Sequence, residues 1–173
     1  MGFAELAFGD VIHRRCGTIL SCCSLLSCEL TFGCSGLSTV YKGRFRGDDV
    51  CIKRFNGAMY DEAVDEFRSE VSVMRKVHHP RTVLFRGACS AKEEELCLVM
   101  ELMFTSLYDW LHRRDRFPRP PPPPLSSDAG LRVMLRILLD AAQGIREIQS
   151  AGIVHRDLKS QKILLDSNKR AKV

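Results

Sequence analysis

Five prolines in succession, Pro120–Pro124, constrain this chain more than any other feature. Each proline fixes its own φ and lacks a backbone donor, so the stretch RRDRFPRPPPPPLSS can enter neither a helix interior nor a central strand and favours polyproline II. The sequence must therefore find its regular structure separately on either side. With 173 residues and 45% hydrophobic content, it can build one domain with a core but not two full-sized ones. The two sides are thus expected to be parts of a single domain. The tract itself reads as a semi-rigid surface spacer. A sharper reading makes Pro120–Pro124 a ligand for a proline-reading domain, with Arg116 and Arg119 setting its orientation.

Before the tract, hydrophobic residues first repeat at strand spacing. Ser38–Phe55 (STVYKGRFRGDDVCIKRF) holds two β-rich runs around Gly47-Asp48-Asp49, which predicts a hairpin. From Asp61 to Val77 the spacing turns helical, through Ala63, Phe67, Met74 and Val77, and His79-Pro80 ends the helix. Val83-Leu84-Phe85 and Leu96–Met100 have strand length, with a polar turn over Ser90–Glu95 between them. After the tract, Ser127 is placed to cap a helix running to Gln149, with Leu131, Met134, Leu138, Ala141, Ile145 and Ile148 on its apolar face. Strands with one helix, followed by helices, predict an α+β fold of two lobes hinged near Leu102–Thr105.

Charge and cysteine usage remove several function classes. The net charge is +5, but Lys and Arg are interspersed with Asp and Glu except around Arg113–Arg119, so a solvated surface is expected rather than a nucleic-acid interface. The eight cysteines follow no paired C-x-x-C framework, which suits reduced thiols in a cytoplasmic protein, and no metal ligand is nominated. The one local cluster, Cys22 to Cys34 with His13 and Cys16 upstream, is a weak metal candidate. Met1–Asp10 lacks a basic secretory n-region, and Leu6 stands where a myristoylation signal wants Ser or Thr. Thr18–Leu30 is too short and too polar to span a bilayer.

Candidate chemistry begins at Lys53. Period-two alternation in Val50-Cys51-Ile52-Lys53 puts Val50 and Ile52 on one face, Cys51 and Lys53 on the other. Taken alone, Lys53 is an edge-strand lysine with its head in water. Glu70 alters that reading, because the steps Ala63, Phe67, Glu70, Met74, Val77 put a carboxylate on the inward face of the helix. A buried carboxylate needs a cation, and Lys53 is the expected partner. Glu62, Asp65 and Glu66 read as solvated helix charges.

With these residues in view, the chain resembles a eukaryotic protein kinase, closest to the tyrosine-kinase-like group of serine/threonine kinases. TVYKGRFRGDDVCIK is similar to the second and third strands of that fold, with VCIK at the V-A-I-K pattern. EFRSEVSVMRKVHHPRTVLFRGAC resembles the αC helix and the strand after it, LCLVMELM the hinge, SLYDWLH the following helix and GIVHRDLKS the catalytic loop. The likeness covers Glu29 to Val173, which divides into a small lobe over 29–101, a hinge over 102–105 and part of a helical lobe over 106–173, with a proline-rich insertion at 113–127; residues 1–28 form an extension.

The resemblance implies ATP and Mg²⁺ as cofactors and a protein substrate. It assigns Lys53 to the α- and β-phosphates with Glu70 as its partner, Val40 and Cys51 to the adenine roof, Leu164 to its floor and Met100 to the gatekeeper position. Glu101 and Met103 would offer backbone groups to the adenine edge. Asp157 matches the aspartate that accepts or orients the substrate hydroxyl proton, and Lys159 the lysine that steadies the transferring phosphate. Arg156 matches the arginine that meets an activation-loop phosphate, and His155 a histidine that packs the loop.

Three departures, and one oddity upstream, qualify this assignment. Counting back from Val40, the three glycine places of G-x-G-x-x-G hold Gly33, Ser35 and Ser38, with Gly36 between the last two, and the Cβ of Ser35 stands where backbone should approach phosphate. Upstream, ELAFGDVI (Glu5–Ile12) resembles a first kinase strand and ELTFG (Glu29–Gly33) repeats part of it, so His13–Phe32 is expected to be an insertion or an untrimmed intron. Lys162 occupies the asparagine place of H-R-D-x-x-x-x-N, and a lysine has donors only. The sequence ends at NKRAKV, where the D-F-G triplet would follow. The expectation is a serine/threonine kinase by family with weak or absent turnover in this chain. A pseudokinase holding nucleotide or partners, and an incomplete gene product, remain the alternatives.

Overall fold

The computed structural model describes residues 30–35, 38–55, 61–90, 96–113 and 123–173. These fall into two compact units. One takes the described residues up to Ser72 together with Phe85–Leu102; the other takes Val73–Leu84 and Met103–Val173.

The first unit is an antiparallel sheet of five strands in the order β1-β2-β3-β5-β4, formed by β1 (Leu30–Ser35), β2 (Ser38–Phe45), β3 (Asp48–Phe55), β4 (Phe85–Ser90) and β5 (Leu96–Glu101). The β2–β3 turn is Arg46-Gly47, one residue earlier than expected, and both residues hold positive φ (53° and 93°). This is the geometry that matches a two-residue hairpin to strand twist. Asp48 and Asp49 begin β3 instead, where Asp49 meets Lys42 at 3.0 Å. The expected strand at Val83-Leu84-Phe85 is displaced: β4 begins only at Phe85. Residues 81–83 are taken by another partner, since Val83 N donates to Val173 O and Val173 N to Arg81 O, both at 3.0 Å.

Most of the expected insertion, residues 13–29, lies outside the described residues, as does Glu5–Ile12. Its last three residues lie in a strand: Leu30 pairs with Lys42 and Thr31 with Tyr41, and the register slips between Thr31 and Gly33 before Gly33 pairs with Val40. The second ELTFG copy thus supplies the edge strand, with a bulge in the middle.

Alternation along β3 is as read from the sequence. Val50 and Ile52 are buried and cluster with Phe45 and Val99 on one sheet face, with Tyr41 and Cys97 packed against them. The opposite face receives helix α1 (Asp61–Lys76), whose Phe67 ring meets Phe55 edge-on, centroids 5.5 Å apart. Its buried residues are Ala63, Phe67 and Val71; Met74 is only partly buried.

The second unit is helical, with a small three-stranded sheet. Helix α2 (Leu107–His112) is capped by Ser106 Oγ, which accepts from Asp109 N at 3.0 Å. Helix α3 (Asp128–Ser150) is capped by Ser127 as expected, its Oγ accepting from Gly130 N at 3.1 Å. Strands β6 (Thr105–Ser106), β7 (Leu164–Leu165) and β8 (Ala171–Lys172) form the sheet, and Leu107, Trp110, Ile137, Ala141, Ile163, Leu165 and Ala171 the core.

The buried face of α3 differs from the expected one. Gly130, Ile137, Asp140, Ala141, Gly144 and Ile148 are buried, while Leu131 and Leu138 are half exposed. Two close approaches and one ion cluster select that face. A Cβ on Gly144 would lie 2.2 Å from Arg81 O, and one on Gly130 would lie 2.0 Å from Pro124 O. Asp140, at 3% side-chain exposure, is met by Arg170 Nε at 2.8 Å and Arg81 Nε at 3.1 Å. Arg170 Nη2 at 3.0 Å and Ala171 N at 3.1 Å complete its donors. The Arg170 hydrogen bond holds the Asp140 carboxyl below the usual carboxylate range, against the opposing effect of burial.

The last prolines of the tract are committed to this helix start, since Pro124 O accepts from Ser127 N at 2.9 Å and from Ser127 Oγ at 2.7 Å. Pro120–Pro122 lie outside the described residues. Among the described residues, no helix is long and apolar enough to cross a membrane.

Candidate active site

In the first unit the β-ladder brings several nominated residues to one sheet face. Val40 pairs with Lys53, Lys53 with Leu98, and Cys51 with Met100, and paired residues of an antiparallel ladder share a face. Val40, Cys51, Lys53 and Met100 are therefore neighbours on the face opposite Val50 and Ile52. Burial pushes the Cys51 thiol up to about 11, so it is a neutral wall of this face. Glu101 pairs with Val50, which puts its side chain on the other face.

Lys53 meets Glu70 as expected, Nζ to Oε2 at 2.5 Å. It also meets Glu66 Oε1 at 3.4 Å and lies 4.6 Å from the centroid of the Phe55 ring. Glu66 is thus not the solvated charge that the sequence suggests. Its Oε2 is buried with no hydrogen-bond partner among the described residues. The signal for it was present: Glu66 precedes Glu70 by four residues, one helical turn on the same face.

The phosphate-loop candidates are only partly described. Gly33 pairs with Val40 and Ser35 with Ser38, while Gly36 lies outside the described residues. Ser38 is buried.

In the second unit, the HRDLKSQK segment (His155–Lys162) follows α3. Asp157 N donates to His155 O at 2.8 Å across Arg156, whose φ is 61°. This is a γ-turn of the strained, positive-φ kind, and it turns the aspartate outward. His155 Nδ1 is buried without a hydrogen-bond partner among the described residues. Lys159 Nζ lies 2.9 Å from Asp157 Oδ1, both side chains about half exposed. That hydrogen bond holds the Asp157 carboxyl below its ordinary range, and the charges of Lys159, Lys162 and His155 act in the same direction. Lys162 ends a 3-10 turn, Ser160–Lys162, and is exposed. Leu164 lies on β7, paired with Ser106 and Lys172. Met103 follows β5 at the start of this unit.

A family model described as protein tyrosine and serine/threonine kinase matches residues 26–173. The chain belongs to the protein kinase family. Among its relatives are a probable serine/threonine-protein kinase of Arabidopsis thaliana, SIS8, 38% identical over 89% of this chain and 15% of its own length. The dual specificity protein kinase shkA of Dictyostelium discoideum is 34% identical over 86% of this chain and 26% of its own. The serine/threonine-protein kinase STY17 of Arabidopsis thaliana is 31% identical over 86% and 24%. The chain spans about a quarter or less of the length of these kinases.

The antiparallel small-lobe sheet, α1 and the further helices of this kinase chain are the α+β arrangement expected of the family. Kinases generally use ATP and Mg²⁺. At Lys162 the residue does not fit the metal, since an ammonium offers hydrogens and no lone pair, and Asp157 Oδ1 is engaged by Lys159.

Proposed function

We propose that this chain carries the nucleotide-anchoring and catalytic-loop parts of a kinase that transfers the γ-phosphate of ATP to serine or threonine hydroxyls of a protein. The Lys53–Glu70 pair carries this reading. A lysine held by a helix carboxylate, on a sheet face lined by Val40, Cys51 and Met100, places an ammonium donor beside an apolar wall. That combination suits a planar base attached to a polyphosphate.

Within the first unit, Lys53 takes the α- and β-phosphates, Val40 and Cys51 cover the base, and Met100 limits its depth. Backbone groups of Glu101 meet the base edge, and the backbone around Gly33, Ser35 and Ser38 approaches the phosphates. Within the second unit, Leu164 supplies an apolar contact, Lys159 steadies the phosphate in transfer and Asp157 orients the acceptor hydroxyl. A carboxyl held below its ordinary range is a weak base, so Asp157 acts by aligning the hydroxyl through a hydrogen bond more than by removing its proton early.

Lys162 favours a second reading, a module that holds nucleotide or a partner without turnover. Two measurements separate the readings. ATP affinity that falls at least tenfold in Lys53→Ala supports nucleotide anchoring; equal affinity in the two proteins overturns it. Phosphate transfer to a serine or threonine peptide that depends on both Lys53 and Asp157 supports the kinase, whereas binding without such transfer assigns the holding module.

A further inference from the structure

The strongest unassigned feature is the second carboxylate at Lys53. An ammonium has three N–H donors. Glu70 Oε2 occupies one direction at 2.5 Å, Glu66 Oε1 a second at 3.4 Å, and the Phe55 ring lies 4.6 Å away on a third side. Two carboxylates and one ammonium leave the cluster with a net charge of −1 by simple addition, facing the region where a polyanion is to be anchored. A triphosphate approaching a cluster of that sign is repelled rather than drawn in.

One carboxylate must therefore leave before Lys53 can hold phosphate, and the two are not equivalent. The Glu70 contact is short, and its side chain is the less exposed, 30% against 38% for Glu66. The Glu66 contact is at the limit of hydrogen-bonding distance, and the other oxygen of the same carboxylate, Oε2, is buried without a donor among the described residues. An orphaned carboxylate oxygen is costly, and rotation of the side chain into water removes that cost.

We propose that Glu66 is a positioning residue that competes with the nucleotide phosphates for Lys53 and releases it when they bind. This rests on the nucleotide-anchoring role proposed above. Glu70 stays bound throughout, and Glu66 sets how available the lysine is.

The test compares the full chain with Glu66→Gln, Glu66→Ala and Glu70→Gln by two readouts. The first is the rate at which an amine-reactive ester labels Lys53, measured by peptide mass spectrometry without nucleotide. The second is ATP affinity by calorimetry. Both Glu66 variants are expected to label faster at Lys53 and to bind ATP about three to ten times more tightly, the effect of one weak charge contact. Glu70→Gln is expected to label faster and to bind ATP more weakly. ATP affinity in both Glu66 variants equal to or below that of the wild type overturns the proposal while leaving Lys53 as an anchor. Faster labelling with no ATP affinity in any of the four proteins overturns the nucleotide-anchoring role, and the proposal with it.

Discussion

Among the described residues the two units hold charge clusters, around Lys53 in one and Asp140 in the other, that are built on opposite principles. Around Asp140 every acceptor direction is used: Oδ2 takes Arg170 Nε and Ala171 N, and Oδ1 takes Arg170 Nη2 and Arg81 Nε. The cluster joins α3, β8 and the 81–83 segment, and nothing in it is free to change partner. Around Lys53, among the described residues, the carboxylates outnumber the cations and one oxygen is left without a donor. A closed network fixes a fold, because any rearrangement breaks a satisfied bond. An open one keeps a second arrangement within reach, which is what a ligand-exchanging site requires.

The largest effect should follow from opening the closed cluster. Asp140→Ala leaves two guanidinium groups without their carboxylate and is expected to destabilise the second unit by about 3 kcal/mol. The chain has one tryptophan, Trp110, buried in the core of that unit, so its fluorescence during urea unfolding reads the loss directly. A shift below about 1 kcal/mol would mean that the network is ornamental, and the contrast with Lys53 would fail. Acid gives the same comparison without mutation. The folded-state carboxyl of Asp140 sits below its unfolded value of about 3.9, so its contribution is complete above that pH and is lost as pH falls through the depressed folded value. The Trp110 transition of the wild type should therefore weaken below about pH 4 more steeply than that of Asp140→Asn.

Gly144→Ala should rank next, at about 2 kcal/mol in the same assay. The added Cβ meets the Arg81 carbonyl oxygen at 2.2 Å, and that atom is backbone, so no rotamer change relieves it. An unchanged transition would show that α3 can slide on the 81–83 segment and that the Asp140 cluster tolerates the movement.

These residues also mark where the sequence could be read and where it could not. The hairpin, α1, the Ser127 cap and the Lys53–Glu70 pair follow from local periodicity and from the need of an inward carboxylate for a cation, and all are present. The inward face of α3 was not legible, because leucines occur around most of its circumference. What selects the face is glycine at 144 against a distant backbone and an aspartate at 140 with partners 59 and 30 residues away, as the numbering of Arg81 and Arg170 shows. Val83 misled for a similar reason: it is used, with Arg81, in pairing with Val173 and not in the five-stranded sheet, which begins its fourth strand only at Phe85. Glu66 looked like an ordinary surface charge, although its place four residues before Glu70 puts it on the same helix face and within reach of Lys53.

Ser127→Ala removes the side-chain acceptor for Gly130 N and should cost about 1 kcal/mol, again seen through Trp110. It serves as a reference for an ordinary local contact within the second unit. A loss as large as that of Asp140→Ala would show that the Pro124–Ser127 bonds, and not the charge cluster, hold α3 in place.

The smallest expected change is also the sharpest test of the comparison. Glu66→Gln removes a long contact to Lys53, which destabilises, and removes like-charge repulsion from Glu70 four residues along the helix, which stabilises; the two should cancel to within about 0.5 kcal/mol. Amide hydrogen exchange over residues 66–72 of α1 measures this, since Trp110 lies in the other unit and should not respond. A loss above about 1.5 kcal/mol would place Glu66 with Asp140, as a member of a network the fold depends on. Stability unchanged, with Lys53 more reactive, would separate the two kinds of cluster by experiment: one that the fold cannot spare, and one whose charge matters to what Lys53 can bind.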